Sequence, residues 1–155
     1  MLPILKNLII DGFNLRWHII GGDINTAPIE FQNLMKEYNL EEYIIFHGNQ
    51  NNPYRFMRNA DLLLIPSYHE AAPMVYEEAR CLNLPILTTR TLSADELVSS
   101  NEIGMVCENS DDAIESALRN VLTQPDMLEV YRHHDKDCNN TKALNEFFNL
   151  INKEM

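Results

Sequence analysis

A strand-to-helix corner with two carboxylates lies near the middle of the chain, at Ser67-Tyr68-His69-Glu70-Ala71-Ala72-Pro73-Met74-Val75-Tyr76-Glu77-Glu78-Ala79-Arg80. The run before it, Asp61-Leu62-Leu63-Leu64-Ile65, is short, apolar and closed by a proline, which is typical of a parallel strand covered on both faces. Pro73 predicts the first turn of a helix, because its missing N–H would have no partner there and its φ is already helical. Glu70 is therefore predicted in the loop and Glu78 in the helix.

The helical spacing places Glu78 on a stripe that otherwise carries apolar residues. At about 100° per residue, that stripe holds Val75, Glu78, Ala79 and Leu82, while the other faces hold Tyr76, Glu77, Arg80 and Asn83. A carboxylate on a core-facing stripe needs hydrogen-bond donors, either from the protein's own backbone or from a bound polyol. The spacing alone leaves a structural role open, in which Glu78 caps a loop N–H and Glu70 is an exposed turn residue. A ligand site is favoured because ligands of open α/β sheets lie outside the carboxyl ends of the strands, where helix N-termini attract anions.

The composition predicts a single soluble domain. A chain of 155 residues suits one hydrophobic core. Twelve Lys and Arg against 23 Asp and Glu give a net charge of −11, which disfavours nucleic acid and anionic lipid as partners. The three cysteines are odd in number and widely spaced, so they favour reduced thiols over a disulfide framework or a zinc site. With no run apolar enough for a transmembrane segment or a signal peptide, we expect a cytoplasmic protein that meets a membrane only through a partner domain.

Five short apolar strands alternate with helical patterns along the chain. The strands are predicted at residues 17–20, 43–46, 61–65, 85–89 and 105–107. Apolar spacing predicts helices from residue 5 to 13, 31 to 38, 53 to 59 and 111 to 121, besides the helix of the corner. Thr26 and Ser110 are predicted N-caps, and Ser93 with Glu96 predicts a capping box for a further short helix. Right-handed crossovers between these elements imply a parallel sheet in a three-layer α/β/α sandwich.

The two ends of the chain depart from this alternation. The chain begins on a helix, although sheets of this class open with a strand, so we expect the sequence to be part of a larger unit. Residues 1–125 are predicted to form the Rossmann-like domain, and residues 126–155 a helical extension with an apolar stripe at Leu144, Phe147, Phe148 and Ile151. The polar run from His133 to Cys138 lacks the spacing of a closed metal site, so no metal is predicted.

The corner and its surroundings resemble the donor-binding half of the group 1 (family 4) retaining glycosyltransferases, which have the GT-B fold. Glu70 and Glu78, with seven residues between them that include Pro73, match the E-x7-E motif of that family. The flanking order from Ala60-Asp61 to Leu84-Pro85-Ile86 also agrees. The glycines that fall where the family has them are Gly21, Gly22, Gly48 and Gly104. The motif with its flanks is far more specific than the spacing of two glutamates alone.

The resemblance implies a nucleotide-sugar site, with UDP a commoner carrier in the family than GDP or ADP, and no additional cofactor. Glu78 would accept hydrogen bonds from the ribose hydroxyls, and Glu70 would be the catalytic carboxylate that contacts the donor sugar. The helix N-terminus would meet the diphosphate and stabilise charge on the leaving nucleotide. The remaining donor contacts would come from Gly21, Gly22, Ala72, Pro73, Met74, Val75 and Arg90.

The resemblance also implies that the acceptor is bound elsewhere. In this family an N-terminal domain binds the acceptor across a cleft, and the loop after the first strand adds an Arg and a Lys that neutralise the diphosphate. Neither fits within these residues, so we expect the donor half of a glycan-building transferase that is inactive without an N-terminal acceptor domain or chain. Two alternatives stay open, since fold alone cannot separate them: a sugar-nucleotide epimerase, and a non-catalytic nucleotide-binding module or remnant.

Overall fold

The computed structural model describes residues 1–69 and 74–132. The helices are α1 (Leu2–Ile10), α2 (Ile29–Glu37), α3 (Tyr54–Met57), α4 (Met74–Cys81) and α5 (Asp111–Thr123). The strands are β1 (Trp17–Ile19), β2 (Ile44–Phe46), β3 (Leu63–Ile65), β4 (Ile86–Thr89) and β5 (Gly104–Cys107). Helices and strands alternate, which confirms the predicted α/β sandwich with parallel strands.

The strands form two parallel sheets rather than one continuous sheet. In the first, β1 pairs with β2, so that Trp17 lies opposite Ile44. In the second, the order is β3-β4-β5, with Leu63 opposite Ile86 and Ile86 opposite Gly104. A cavity of about 770 Å³, lined by residues of both β1 and β3, separates the two sheets. The hydrogen-bonded ladder therefore stops at this cavity.

Three apolar clusters hold the elements together. One packs α4 against the three-stranded sheet and includes Tyr76, Ala79 and Ile86. A second packs α1 and α2 against the two-stranded sheet around Leu5 and Met35. The third is formed by Ile4, Leu8 and Ile114, and therefore joins α1 to α5. Since α1 leads into β1 and α5 follows β5, this small cluster connects the two halves of the fold.

The central strand β4 is fully buried along its length. Ile86, Leu87, Thr88 and Thr89 are each at most 1% exposed. The two threonine hydroxyls are satisfied by the neighbouring segment: Thr88 Oγ1 donates to the carbonyl of Ile65 at 3.1 Å, and Thr89 Oγ1 donates to the carbonyl of Ser67. Buried hydroxyls need such partners, so β4 also holds the chain in place where it leaves β3.

Gly104 allows β5 to lie close to β4. A Cβ atom at this position would stand 2.1 Å from the carbonyl oxygen of Ile86, which is far below any real carbon contact. The glycine is thus required by backbone packing and not by its backbone conformation.

The predicted N-caps have different outcomes. Ser110 does cap α5, because its Oγ accepts a hydrogen bond from the N–H of Ala113 at 3.2 Å. Thr26 does not cap α2: it ends a 3₁₀ turn whose N-cap is Asp23, and α2 begins after Pro28. The Asp23 side chain closes that turn by accepting from the N–H of Asn25 at 2.8 Å, which takes Thr26 out of the capping position.

The predicted capping box between β4 and β5 does not form. The segment Asp95–Ser99 is a single π-helical turn that begins at Ala94 without a side-chain cap. It closes through a hydrogen bond from the N–H of Ser100 to the carbonyl of Asp95. Ser93 Oγ is buried and, within the described part of the chain, has no hydrogen-bond partner.

The C-terminal extension is described only where it begins. Residues Pro125–Tyr131 form a 3₁₀ helix that buries Leu128. The run from His133 to Cys138 and the apolar stripe from Leu144 to Ile151 lie outside the described residues. The domain boundary after residue 125 therefore stays a prediction.

Candidate functional site

Glu78 stands half-buried on α4 and shares a hydrogen bond with α3. Tyr54 Oη donates to Glu78 Oε1 at 3.2 Å. The pKa of Tyr54 is raised, chiefly because this bond to a carboxylate stabilises the protonated phenol. Within residues 1–69 and 74–132, no cation forms an ion pair with Glu78. A carboxylate has about four lone-pair sites, so Glu78 has acceptor capacity beyond its bond to Tyr54.

The orientation of α4 differs from the predicted one. Tyr76 was predicted on an outer face, yet it is 1% exposed and its hydroxyl lies 2.9 Å from Thr88 Oγ1. Ala79 is fully buried in the same cluster, whereas Glu78 lies at its border. The helix takes this rotation because a tyrosine buries a large apolar ring while its hydroxyl finds a partner on the central strand. Glu78 is therefore an edge residue of the core and does not point into it.

Glu77, the neighbour of Glu78, is an ordinary surface residue, as predicted. Its carboxylate lies 2.8 Å from the guanidinium of Arg80, one turn further along the exposed side of α4. The side chain of Glu77 is 59% exposed. Two adjacent glutamates thus differ in kind, because one is paired with a cation in solvent and the other is half-buried beside a phenol.

Two glycine corners lie side by side where β1 and β2 end. The N–H of Gly21 donates to the carbonyl of Gly48 at 2.9 Å. Both glycines have positive φ, 94° for Gly21 and 63° for Gly48, which favours glycine over other residues. Among the residues that the structure describes, a Cβ on either glycine would have nothing within 4 Å, so the backbone at this edge is open to an approaching group on that side. Gly22, also predicted in the site, follows directly and is half-buried.

A histidine pair beside these corners was missed by sequence reasoning. His18 Nδ1 and His47 Nε2 are 2.8 Å apart, and their rings stack with centroids 5.1 Å apart. The pKa of His47 is lowered, first by desolvation and then by the charges of His18 and Arg55. The pair depends on the parallel register of the two strands: His18 lies opposite Ile45, and His47 follows two residues later, just after β2, on the same side.

Arg90, at the end of β4, is held by two carboxylates of this chain. Its Nε lies 2.9 Å from Glu108 Oε1, and its Nη1 contacts Asp95. These partners raise the pKa of Arg90, with the hydrogen bond that Arg90 donates to Glu108 as the largest cause. The guanidinium is about half exposed. Arg90 therefore bridges the loops after β4 and β5, and its contact with a donor stays a prediction.

The remaining predicted residues lie at the start of α4 or outside the described part. Glu70, Ala72 and Pro73 fall in residues 70–73, outside the described residues. Met74 begins α4 and is 79% exposed, while Val75 is half-buried against the core. Glu78 thus lies next to Tyr54, and Gly21 lies next to Gly48. Arg90 instead forms ion pairs with Glu108 and Asp95.

Two further properties concern metals and membranes. Among the described residues, no group of three or more His, Cys, Asp or Glu side chains is placed to hold a metal ion. No helix in that part of the chain is long and apolar enough to cross a bilayer.

Comparison with protein families matches residues 4–137 to glycosyl transferases group 1. The lipopolysaccharide glucosyltransferase WaaG of Escherichia coli (strain K12) is 28% identical over 128 residues, which cover 81% of this chain and 33% of WaaG. The capsular polysaccharide biosynthesis glycosyltransferase CapM of Staphylococcus aureus is 23% identical over 145 residues, or 88% of this chain and 36% of CapM. The chain therefore spans about a third of the length of these relatives.

Solved structures agree on the fold. A crystal structure of a WaaG involved in lipopolysaccharide biosynthesis matches with a TM-score of 0.73 at 28% identity, covering 87% of this chain and 39% of that one. Anabaena Alr3699/HepE, solved in complex with UDP, matches with a TM-score of 0.68 at 17% identity, covering 84% of this chain and 38% of that one. The fold is thus the Rossmann-like α/β fold of GT-B glycosyltransferases.

Proposed function

The chain belongs to the group 1 glycosyltransferases, and from this membership we propose that it binds the nucleotide-sugar donor of a retaining transfer reaction. In this proposal the site is formed by Gly21, Gly48 and Glu78. One observation carries the proposal: Glu78 is half-buried, accepts a hydrogen bond from the phenol of Tyr54, and can accept further hydrogen bonds. A ribose presents two adjacent hydroxyl donors, which suit one carboxylate.

The nucleotide is UDP in this proposal, ahead of GDP or ADP. The similarly folded HepE was solved with UDP bound, which supports the choice. The chain carries a net charge of −11, so the diphosphate must be met by local geometry and not by the overall field. In this proposal the N-terminal turn of α4 supplies that geometry, because the first N–H groups of a helix have no partner within the helix and its dipole is positive at that end.

The other donor contacts follow from the family motif. Glu70 contacts the donor sugar, and the backbone from Ala72 to Val75 cradles the diphosphate. Gly21 and Gly22 allow the phosphates to approach the ends of the strands. Arg90 would have to exchange Asp95 or Glu108 for the phosphate, since its guanidinium is already engaged by both.

Transfer requires an acceptor, which this proposal assigns to an N-terminal partner domain or chain in the cytoplasm. The chain spans 33% of WaaG and 36% of CapM, and both relatives are named for glycan assembly. We therefore propose a glycan or polysaccharide acceptor and an isolated chain that binds donor without transferring sugar. An epimerase is less favoured, because the family model and both sequence relatives are glycosyltransferases.

Calorimetric titration with UDP, GDP and ADP tests the donor site on the full chain. We expect UDP to bind best and to raise stability by about 2.7 kcal/mol at a hundredfold excess over Kd. Glu78→Ala should weaken UDP binding about 10- to 100-fold, because hydrogen bonds to a charged group contribute about 1.5–3 kcal/mol. Glu78→Gln should weaken it less, since the amide retains one acceptor oxygen.

Glu77→Gln is the matched control, because Glu77 is the adjacent glutamate and is paired with Arg80 at the surface. It should leave the affinity for UDP unchanged. Equal losses in both variants would refute the assigned role of Glu78. A wild-type chain that binds none of the three nucleotides at millimolar concentration would refute the donor site and favour a non-catalytic remnant.

A further inference from the structure

A shared apolar cluster holds the two helices that carry Tyr54 and Glu78. α3 contributes Met57, which is 7% exposed, to the same cluster as Tyr76 and Ala79 of α4. Because such a core is close-packed, it fixes the distance between the two helices. Tyr54 precedes Met57 by three residues and therefore lies near the side of α3 that faces α4. The position of Tyr54 beside Glu78 thus follows from the packing of the core.

The phenol of Tyr54 contacts one of the two carboxylate oxygens of Glu78. Tyr54 Oη donates to Glu78 Oε1 at 3.2 Å, which is longer than the usual distance of about 2.7–2.8 Å for such a bond. Among residues 1–69 and 74–132, this is the one side-chain hydrogen bond that Glu78 accepts. A carboxylate has about four lone-pair sites, so about three stay available to a ligand. Their directions depend on the rotation that the phenol favours.

This hydrogen bond contributes more to orientation than to folding. Tyr54 is 43% exposed, so water could satisfy its hydroxyl if the carboxylate moved away. The pKa of Tyr54 is raised from its ordinary value of 10.0, first by this bond and then by the charge of Glu78. A glutamate side chain without a partner samples several rotamers, and a ligand that needs one of them must order the side chain. The phenol reduces that cost before a ligand arrives.

The adjacent glutamate shows what a cationic partner does instead. Arg80 contacts the Glu77 carboxylate at 2.8 Å through both Nε and Nη2. A guanidinium that donates twice occupies the carboxylate and balances its charge. A phenol is neutral, so it orients the carboxylate of Glu78 and leaves the negative charge in place. Glu78 therefore keeps the stronger, charge-assisted acceptor character toward neutral hydroxyl groups.

We propose that Tyr54 is a positioning residue of the donor site, which turns the Glu78 carboxylate so that it accepts hydrogen bonds from both hydroxyls of a ribose at once. This inference rests on the proposed nucleotide-sugar site and adds the residue that makes Glu78 selective for a vicinal diol. Two simultaneous bonds require one orientation of the carboxylate. A 2′-deoxyribose presents a single hydroxyl, which Glu78 can follow by rotating, so it depends less on Tyr54.

Calorimetric titration of the full chain with UDP and with 2′-deoxy-UDP tests this role. We expect wild type to bind UDP at least about tenfold more tightly, because 2′-deoxy-UDP lacks one hydrogen bond to a charged group. Tyr54→Phe should weaken UDP binding about five- to tenfold and 2′-deoxy-UDP binding less than about twofold, so the preference for ribose falls.

Tyr131→Phe is the matched control, because it removes a tyrosine hydroxyl at the other end of the strands. Tyr131 precedes Arg132, whose guanidinium donates to the carbonyl of Asp61 just before β3 begins. The proposed site lies beyond the opposite, carboxyl ends of the strands. Both nucleotides should bind Tyr131→Phe as they bind wild type, and equal effects of Tyr54→Phe and Tyr131→Phe would contradict the inference.

Nuclear magnetic resonance checks the hydrogen bond without nucleotide. The Cζ resonance of Tyr54, assigned by its loss in Tyr54→Phe, should titrate above the ordinary pKa of 10.0 in wild type. It should titrate closer to that value in Glu78→Gln, because a neutral amide stabilises the protonated phenol less than a carboxylate does. The same titration in both chains would show that the bond does not form in solution and would overturn the inference.

The results also separate this inference from the proposed function. If wild type binds UDP, Glu78→Ala does not, and Tyr54→Phe binds like wild type, the donor site stands and the role of Tyr54 is refuted. Equal losses of both nucleotides in Tyr54→Phe would show that the phenol only supports the structure of the site, which also contradicts positioning. A wild-type chain that binds neither nucleotide at millimolar concentration would refute the proposed function, and the inference with it.

Discussion

The two sheets of this protein differ in how deeply their strands are buried and in how well their edges are covered. The sheet of β3, β4 and β5 has a central strand at most 1% exposed, and a glycine that lets β5 approach within contact of the Ile86 backbone. The sheet of β1 and β2 has two strands of three residues each, glycine corners open to space and an edge that borders a cavity. Two-stranded sheets are marginally stable alone, so the first sheet depends on helices α1 and α2 and on the cluster that joins α1 to α5. The difference predicts that stability is concentrated in the second sheet.

The largest effect should come from Gly104→Ala in the second sheet. The new Cβ would stand 2.1 Å from the Ile86 carbonyl oxygen, so β5 must separate from β4. We expect a loss of about 3 kcal/mol in the free energy of unfolding, at the upper end for overpacking. Denaturant titration measures it, with Gly22→Ala as control, since a Cβ there meets its nearest atom at 4.0 Å. Equal losses at the two glycines would contradict the contrast between the sheets.

Leu8→Ala should uncouple the two halves. Leu8 is 1% exposed and packs with Ile4 and Ile114 at the junction of α1 and α5. We expect a loss of about 2–3 kcal/mol, toward the low end for such a truncation because Leu8 also borders the cavity. Hydrogen exchange should then show β1 and β2 opening at lower free energy than β3, β4 and β5. Ile10→Ala, on the exposed side of the same helix, should leave the pattern unchanged, and a uniform weakening of all five strands by Leu8→Ala would contradict the junction role.

Tyr76→Phe should lower the free energy of unfolding by about 1 kcal/mol, because it removes one neutral hydrogen bond between α4 and the central strand of the second sheet. The Tyr76 hydroxyl lies 2.9 Å from Thr88 Oγ1, and Thr88 still reaches the Ile65 carbonyl at 3.1 Å after the change. The same substitution at the exposed Tyr54 is the matched control and should change thermal stability by less than half as much. A larger loss at Tyr54 would show that the α3 contact, and not the buried pair, orients α4.

The smallest effect should appear in the first sheet as a dependence on pH. The pKa of His47 is lower in the folded chain than its ordinary value of 6.5, so the unfolded chain takes up the proton first as pH falls. The stability contribution is therefore present above about pH 6.5 and declines as pH falls toward the folded pKa. Thermal unfolding between about pH 8 and pH 5.5 should show a steeper decline for wild type than for His47→Gln. Parallel curves would mean that the histidine pair has no influence on folding.

The fold could be predicted from the sequence because local patterns determine most of it. Apolar runs and helical spacing predicted the five strands and five α-helices that lie in the described residues, and Ser110 caps α5 as expected. The break between the sheets could not be read from any local pattern, since it depends on which strands find neighbours. The π-helical turn at Asp95–Ser99 was missed for a different reason. Ser93 and Glu96 have the sequence spacing of a capping box, but the structure does not form one.

The candidate site was predictable in its residue types more than in its geometry. Glu78 was expected to point into the core, but the observed rotation of α4 buries Tyr76 instead. The Tyr76 hydroxyl has a hydrogen-bond partner on β4, and helical periodicity does not reveal that partner. The His18 and His47 pair depends on the register between two strands, which the sequence does not state. Glu70 and the loop through Pro73 lie outside the described residues, so their roles stay predictions.

The buried bond between Tyr76 and Thr88 has a consequence for recognition by α4. A helix that could rotate about its axis would have to lose that freedom each time a ligand engaged Glu78, two residues beyond Tyr76. Because a hydroxyl pair with no access to water already fixes the rotation, that entropy is lost once, during folding. Glu78 is therefore presented preorganised, and a ligand that matches its position binds without ordering the helix first.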